Sequence, residues 1–103
     1  MPALSKSKRF NAELRRAFRQ GLSSDDWGHL EYLFEKGEPL PEEYDEHRLT
    51  GNWEGFWDCH LEGDLVVIYK RTAKKIALTR IGTHTEIFRH RKKTGFWGWL
   101  VGD

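Results

Sequence analysis

The segment FWDCHLEGDLVVIYKRTAKKIALTRI, residues 56–81, decides the fold of this chain. Three runs rich in aromatic, β-branched and aliphatic residues alternate here with turn signals, which predicts three antiparallel strands joined as a meander. The predicted strands cover residues 56–61, 64–71 and 75–81. Residues 65–69 are apolar throughout, as is typical of a central strand that is covered on both faces.

Two helices are predicted on the N-terminal side of these strands. Apolar residues recur at the spacing of one helix face from about Ser7 to Gly21, and again from Ser23 or Ser24 to Gly37. Serine suits the residue that caps a helix N-terminus, and glycine suits the residue that ends a helix. Because the link between the two segments is short, we expect an antiparallel helical hairpin.

Residues 3–5 and 47–49 suit two further short strands, which gives the order β-α-α-β-β-β-β. This order predicts an α+β fold, an antiparallel sheet with the N-terminal helical hairpin packed on one face. Residues 1–88 are expected to form a single domain. Residues 89–103, RHRKKTGFWGWLVGD, form a basic and aromatic C-terminal tail that either contacts nucleic acid or covers an apolar patch.

Composition restricts the classes of protein that this chain can belong to. The 103 residues carry a formal net charge of +1, with ten Lys/Arg against six Asp/Glu, and four of the five histidines, in residues 47–103. A polyanionic partner would therefore meet the C-terminal half. The single cysteine, Cys59, is expected to be buried and unreactive. No apolar run is long enough for a membrane span and no signal peptide is apparent, so we expect a cytoplasmic protein.

Five side chains that suit phosphate chemistry lie at or near the ends of the predicted strands: His47, His60, Asp64, Arg80 and His84. Strand ends that meet at one edge of an antiparallel sheet can gather such residues in one cleft. Cleavage of RNA through its own 2′-hydroxyl needs a base, an acid and a cation that holds the charged phosphate. Imidazoles suit the first two roles, because their pKa lies near neutral pH. The guanidinium of Arg80 suits the third role, because it grips phosphate oxygens in pairs.

Spacing alone leaves other interpretations of these residues open. Histidines are common at strand ends, and Arg80 could instead pair with Glu62 or Asp64. Three histidines and an aspartate could also hold zinc in a metal-dependent hydrolase, although no H-x₃-H or C-x₂-C spacing supports this. A binding module without catalytic activity is a further alternative.

The sequence stretches EHRLTGNWEGFWDCHLEGD, LVVIYK and LTRIGTHTEIF resemble the YafQ branch of the RelE/ParE toxin superfamily. The resemblance implies the RelE-like microbial ribonuclease fold and a toxin of a type II toxin-antitoxin system. Such a toxin is an mRNA interferase, a ribosome-dependent endoribonuclease that cleaves messenger RNA in the ribosomal A site and inhibits translation. It needs no metal and no cofactor. A cognate acidic antitoxin, expected to be a ribbon-helix-helix protein, neutralises it.

The resemblance also implies which residues carry the activity. It assigns catalysis to His47, His60, Asp64, Arg80 and His84, and also implicates Phe88. We expect Phe88, Lys70 and Arg71 to contact RNA. We expect Arg80 to stabilise the phosphorane, His84 to act as general acid, and His47 or His60, helped by Asp64, to act as base.

Two positions near this set carry separate expectations. Phe88 either stacks on an RNA base or closes the core. The family typically has Trp after the aspartate, whereas this chain has Leu65, so a stacking contact and the linked codon preference do not carry over. Trp53 or Trp57 could supply a ring instead, although both suit core or sheet-face positions better.

We also considered a RelE/ParE-like toxin that binds a target without cleaving it. Such relatives lack the histidine set that is present here. That alternative therefore fits the sequence less well than the ribonuclease.

Overall fold

A computed structural model describes residues 1–88 of the chain, and the tail predicted for residues 89–103 lies outside the described residues. The helices and strands follow in the order β1 Ala3–Lys6, α1 Lys8–Arg19, α2 Ser24–Lys36, β2 His47–Arg48, β3 Trp57–His60, β4 Leu65–Arg71, β5 Lys75–Thr83 and α3 His84–Phe88. Short 3₁₀ turns at Glu42–Tyr44 and Gly51–Trp53 flank β2.

The α+β fold is confirmed, with one difference in the sheet. The five strands lie in the order β1-β5-β4-β3-β2, and all neighbouring pairs from β2 to β5 are antiparallel, as expected. At the other edge, however, β1 is parallel to β5, with Leu4 opposite Ile76. The expectation of a wholly antiparallel sheet is wrong there, because β1 reaches β5 through a long connection and not through a tight hairpin.

The helical hairpin forms with the capping residues that the sequence indicated. The Ser7 hydroxyl accepts a hydrogen bond from the amide of Phe10 at the start of α1. The Ser23 hydroxyl does the same for two amides at the start of α2. At the end of α2, Gly37 adopts the left-handed conformation with φ of 73°. A residue without a Cβ adopts this conformation at the lowest cost, which explains the abrupt end of the helix.

Two apolar clusters cover the two faces of the sheet. The larger one lies between the helical hairpin and the sheet, and includes Phe10, Leu30, Phe34, Cys59 and Tyr69. The smaller one lies on the opposite face, beneath α3, and consists of Leu49, Val66, Ile68, Ile87 and Phe88. The central strand β4 contributes to both clusters, as expected for a strand covered on both faces.

Within residues 1–88, the three helices are all too short or too polar to cross a lipid bilayer.

Candidate active site

The histidines collect on the sheet face opposite the helical hairpin. Successive strand residues point to opposite faces, so Asp58 and His60 lie on the other side of β3 from Cys59. Cys59 is fully buried in the cluster beneath the helices. His47 of β2 sits opposite Asp58 of β3 and therefore joins the same face. The expectation of a buried cysteine, separate from His60, is confirmed, and burial raises the pKa of its thiol.

Asp45 lies between two of the imidazoles. Its backbone is in the left-handed region, with φ of 50°, directly before β2. One carboxylate oxygen lies 3.6 Å from Nε2 of His47, and the other lies 3.8 Å from Nδ1 of His60. The other ring nitrogens, Nδ1 of His47 and Nε2 of His60, are buried and have no hydrogen-bond partner within residues 1–88.

His84 is positioned by a capping box at the start of α3. The Thr83 hydroxyl accepts from the amide of Glu86 at 3.1 Å, while the Glu86 carboxylate accepts from the amide of Thr83 at 3.0 Å. The same carboxylate accepts from Nη2 of Arg16 on α1 at 2.9 Å. His84 follows the end of β5 at Thr83 and is the first residue of α3.

The His84 ring connects the other histidines to Asp64. Nδ1 of His84 donates to a carboxylate oxygen of Asp64 at 2.8 Å. The His60 ring lies edge-on to the His84 ring, with 5.1 Å between their centroids. Asp64 was expected to help His47 or His60 as base, but its carboxylate contacts His84 instead. It also lies in the turn before β4 and not in the strand.

Asp58 is a buried carboxyl group at the centre of this face. Its side chain is fully buried, and neither carboxylate oxygen has a hydrogen-bond partner within the described residues. Burial raises the pKa of Asp58 to about 6, against the smaller opposing effect of His47 and His84. An unpaired charge is costly to bury, so the carboxyl group gains a proton at a higher pH than an exposed aspartate does.

Burial also lowers the pKa of His60, with a further contribution from neighbouring His84. Asp45 opposes this change but does not reverse it. The ring of His60 therefore stays neutral at lower pH than a free histidine does, which suits a group that must accept a proton.

Arg80 is paired with a residue that sequence analysis did not consider. Nε of Arg80 donates to both carboxylate oxygens of Glu13 on α1, at 3.1 and 3.0 Å, and Nη2 donates to one of them at 2.9 Å. The alternative ion pairs with Glu62 or Asp64 are therefore wrong. The role of Arg80 in holding phosphate stays a prediction.

A bulge in β5 sets the orientation of Arg80. Tyr69 of β4 lies opposite Leu78, whereas the preceding residue, Ile68, lies opposite Arg80. Thr79 is therefore an extra residue in β5, and the strand twists at this point. Such bulges commonly redirect a side chain beside a functional site.

Phe88, Lys70 and Arg71 were expected to contact RNA. Phe88 is only 1% exposed and packs against Trp53, so the structure favours its alternative role in the core. The ammonium group of Lys70 lies 4.8 Å from the centroid of the Phe56 ring.

The Arg71 guanidinium is held by Glu46. Nη2 of Arg71 donates to the Glu46 carboxylate at 2.7 Å, and the hydroxyl of Tyr69 donates to the same oxygen. The Arg71 side chain is 18% exposed, and its contact with RNA stays a prediction.

The aromatic residues near the site occupy sheet-face positions. Trp53 packs on the smaller cluster and Trp57 on the larger one. Leu65, which replaces the family's usual Trp, packs against the larger cluster. Among residues 1–88, no three His, Cys, Asp or Glu side chains are arranged to hold a metal ion.

The fold and the site together define a class of protein. A helical hairpin on one face of a five-stranded mixed sheet is the arrangement of the RelE-like fold, and in this chain three histidines lie on the other face. The family model described as "Bacterial toxin of type II toxin-antitoxin system, YafQ" matches residues 3–89, and the chain belongs to this family.

Comparison with individual proteins agrees with this assignment. The mRNA interferase toxin YafQ of Escherichia coli K12 is 46% identical over 50 residues, which are 48% of this chain and 54% of that protein. The chain thus spans about half the length of the curated relatives it matches.

Solved structures match over a longer stretch. The E. coli DinJ-YafQ complex superposes with a TM-score of 0.76 at 30% identity, covering 85% of this chain and 99% of that one. A copper-bound mutant toxin from Helicobacter pylori gives 0.79 at 27% identity, covering 85% and 100%.

Proposed function

We propose that this protein is the toxin of a type II toxin-antitoxin system and acts as a metal-independent endoribonuclease on messenger RNA. The observation that carries the proposal is the row formed by Asp64, His84 and His60. A 2.8 Å hydrogen bond joins the first two residues, and 5.1 Å separates the two rings. Two imidazoles at this spacing, in different electrostatic surroundings, suit an acid and a base acting on one phosphodiester.

The roles of the histidines follow from their surroundings. The Asp64 carboxylate accepts a hydrogen bond from Nδ1 of His84 and orients the ring, which suits a general acid for the 5′ leaving oxygen. His60, kept neutral by burial, suits the base that removes the 2′-hydroxyl proton. His47, which shares Asp45 with His60, is the alternative base. Arg80 supplies the cation that stabilises the charged phosphorane.

The substrate that we propose is messenger RNA in the ribosomal A site. A related protein from E. coli is named an mRNA interferase. The formal net charge of this chain is only +1, so its own attraction for free RNA is weak. We expect the ribosome to hold the message in position and to supply the affinity that the toxin lacks. Cleavage there would inhibit translation, and we propose a cytoplasmic location for the same reason.

The proposed protein partner is a cognate acidic antitoxin of the ribbon-helix-helix type. A solved relative is a DinJ-YafQ toxin-antitoxin complex. The C-terminal half of this chain carries the excess of Lys and Arg, so an acidic segment of the antitoxin would dock there. It would then cover the sheet face that carries His47, His60 and His84. Co-purification with the product of the adjacent gene tests this partner.

The decisive experiment maps the RNA ends made by purified toxin on ribosomes that translate a defined message. In-line attack by the 2′-hydroxyl leaves a 2′,3′-cyclic phosphate or 3′-phosphate and a 5′-hydroxyl. We expect these ends from the wild type and from His29→Gln, a matched control on an exposed α2 residue, and no cleavage by His84→Gln.

Three results would contradict the proposal. Ends with a 5′-phosphate would refute the mechanism. Loss of cleavage under a zinc- and copper-selective chelator, with magnesium retained, would refute metal independence. Growth arrest by His84→Gln without RNA cleavage would instead identify a toxin that only binds its target.

A further inference from the structure

Glu13 on α1 holds Arg80 by one edge of its guanidinium. The edge formed by Nε and Nη2 donates to both carboxylate oxygens, at distances between 2.9 and 3.1 Å. Oε1 of Glu13 also accepts from the backbone amide of Ile81 at 3.1 Å. The carboxylate is therefore fixed to the backbone of β5 while it fixes the side chain of Arg80.

This pairing leaves the opposite edge of the guanidinium free. Arginine carries five N–H donors in a rigid plane, and Glu13 uses those of Nε and one of Nη2. Nη1 and the remaining hydrogen of Nη2 make no hydrogen bond within residues 1–88. That edge has the geometry for a second, bidentate contact with phosphate oxygens. The side chains of both residues are largely buried, with 13% of Arg80 and 18% of Glu13 exposed, so the pair has little freedom to rearrange.

The pair lies in a cleft between α1 and β5. The cleft has a volume of about 170 Å³ and is lined mainly by side chains of α1 and β5, including Arg9, Glu13, Arg16 and Arg80. Leu65 and Gly82 also line it. Leu65 directly follows Asp64, and Gly82 is two residues before His84. The cleft therefore extends to chain neighbours of Asp64 and His84, the two residues that a phosphate bound to Arg80 would have to reach.

We propose that Glu13 is the positioning residue for Arg80 in phosphodiester cleavage. By holding the Nε edge, Glu13 turns the free edge of the guanidinium toward the phosphorane that forms at the histidines. The inference rests on the proposed ribonuclease function. It adds a residue of α1 to a site that otherwise consists of residues at or near the strand ends.

The first measurement compares Glu13→Gln with wild type in single-turnover cleavage of a defined message on translating ribosomes. Without the carboxylate charge, the guanidinium loses its fixed orientation. A misplaced catalytic group slows the chemical step more than it weakens the binding of the message. We therefore expect the rate constant of cleavage to fall by about 10- to 100-fold with KM nearly unchanged. The matched control is Glu31→Gln, which removes a carboxylate paired with Lys6 at 2.6 Å elsewhere on the surface. This control should cleave at the wild-type rate.

The second measurement separates positioning from a purely structural role. If Glu13 acts only through Arg80, then Glu13→Gln should cost almost nothing in an Arg80→Ala background. An equal loss of rate in both backgrounds would show that Glu13 merely supports the fold, and would overturn the proposal. A wild-type rate for Glu13→Gln would overturn it as well.

Two further controls complete the test. If Glu13→Gln does not fold, Glu13→Asp replaces it in the same comparison, because it keeps the charge but cannot reach both Ile81 and Arg80. Absence of cleavage by the wild type would refute the ribonuclease function itself, which is a separate outcome from unchanged cleavage by the Glu13 variants.

Discussion

Replacement of Asp58 by asparagine should stabilise the protein at neutral pH. Asp58 is fully buried, and neither of its carboxylate oxygens has a hydrogen-bond partner among the described residues. Asparagine has nearly the same shape but carries no charge at any pH. The substitution therefore removes the cost of burying an ionised carboxylate and leaves the packing almost unchanged.

The size of the effect follows from the pKa of the carboxyl group. Burial raises this pKa from 3.8 to about 6, and each unit corresponds to roughly 1.4 kcal/mol. Because the folded state holds the proton more tightly, wild-type stability falls as pH rises from about 4 to 6, and the full cost of roughly 3 kcal/mol is present above pH 6. The stability difference between Asp58→Asn and wild type should therefore grow by roughly 2 kcal/mol from pH 4.5 to pH 7.5.

Urea denaturation at several pH values measures this difference directly. Asp25→Asn, which changes an exposed aspartate in the first turn of α2, is the matched control and should lower stability by less than about 1 kcal/mol. Carbon-13 NMR of the wild-type Asp58 carboxyl group provides an independent measurement of its pKa. A stability difference that does not vary with pH, together with a carboxyl group that titrates near pH 4, would refute the reasoning.

The remaining predictions concern activity, the core and the tail. His84→Ala and Arg80→Ala should each lower the rate of cleavage by roughly 100- to 1,000-fold and abolish growth arrest at equal protein level, since each removes a group matched to the transition state. Unchanged toxicity of either variant would show that the substituted residue is not part of the active site. Phe88→Ala should lower the free energy of unfolding by about 3–5 kcal/mol in urea titrations, because its ring is buried against Trp53. A decrease in the free energy of unfolding of less than about 1 kcal/mol would contradict a core role for the ring and would favour contact with RNA. Truncation after Phe88 should preserve folding and weaken ribosome binding in sedimentation assays if the tail contacts nucleic acid, whereas early melting would assign its aromatic residues to the core.

Local signals in the sequence were sufficient to predict most of the fold. Apolar spacing and capping residues are properties of a few neighbouring residues, so Ser7, Ser23 and Gly37 located the helix ends correctly. The parallel edge of the sheet could not be predicted in this way. The pairing of Leu4 with Ile76 depends on how the entire intervening chain folds, and a short strand carries no signal for its direction.

The candidate site was predicted in part, for a related reason. His47, His60 and His84 were found because their residue type suits the chemistry and because they lie at strand ends. Asp58 was missed, although its spacing of two residues from His60 places both on one face of β3. Glu13 was not predictable, because its contact with Arg80 joins α1 to a bulge in β5 and no local pattern marks either partner.

The pairing of β1 with β5 has a consequence for the newly made toxin. The ribosome synthesises Ala3–Lys6 first, yet these residues pair with Lys75–Leu78, which emerge only after most of the chain has been made. Contacts between distant parts of a chain form slowly and late in folding. His84 follows β5 directly, so the histidine row is completed last. The proposed active site therefore stays incomplete during most of the synthesis of residues 1–88, and an antitoxin of the proposed kind would have that interval to bind the chain.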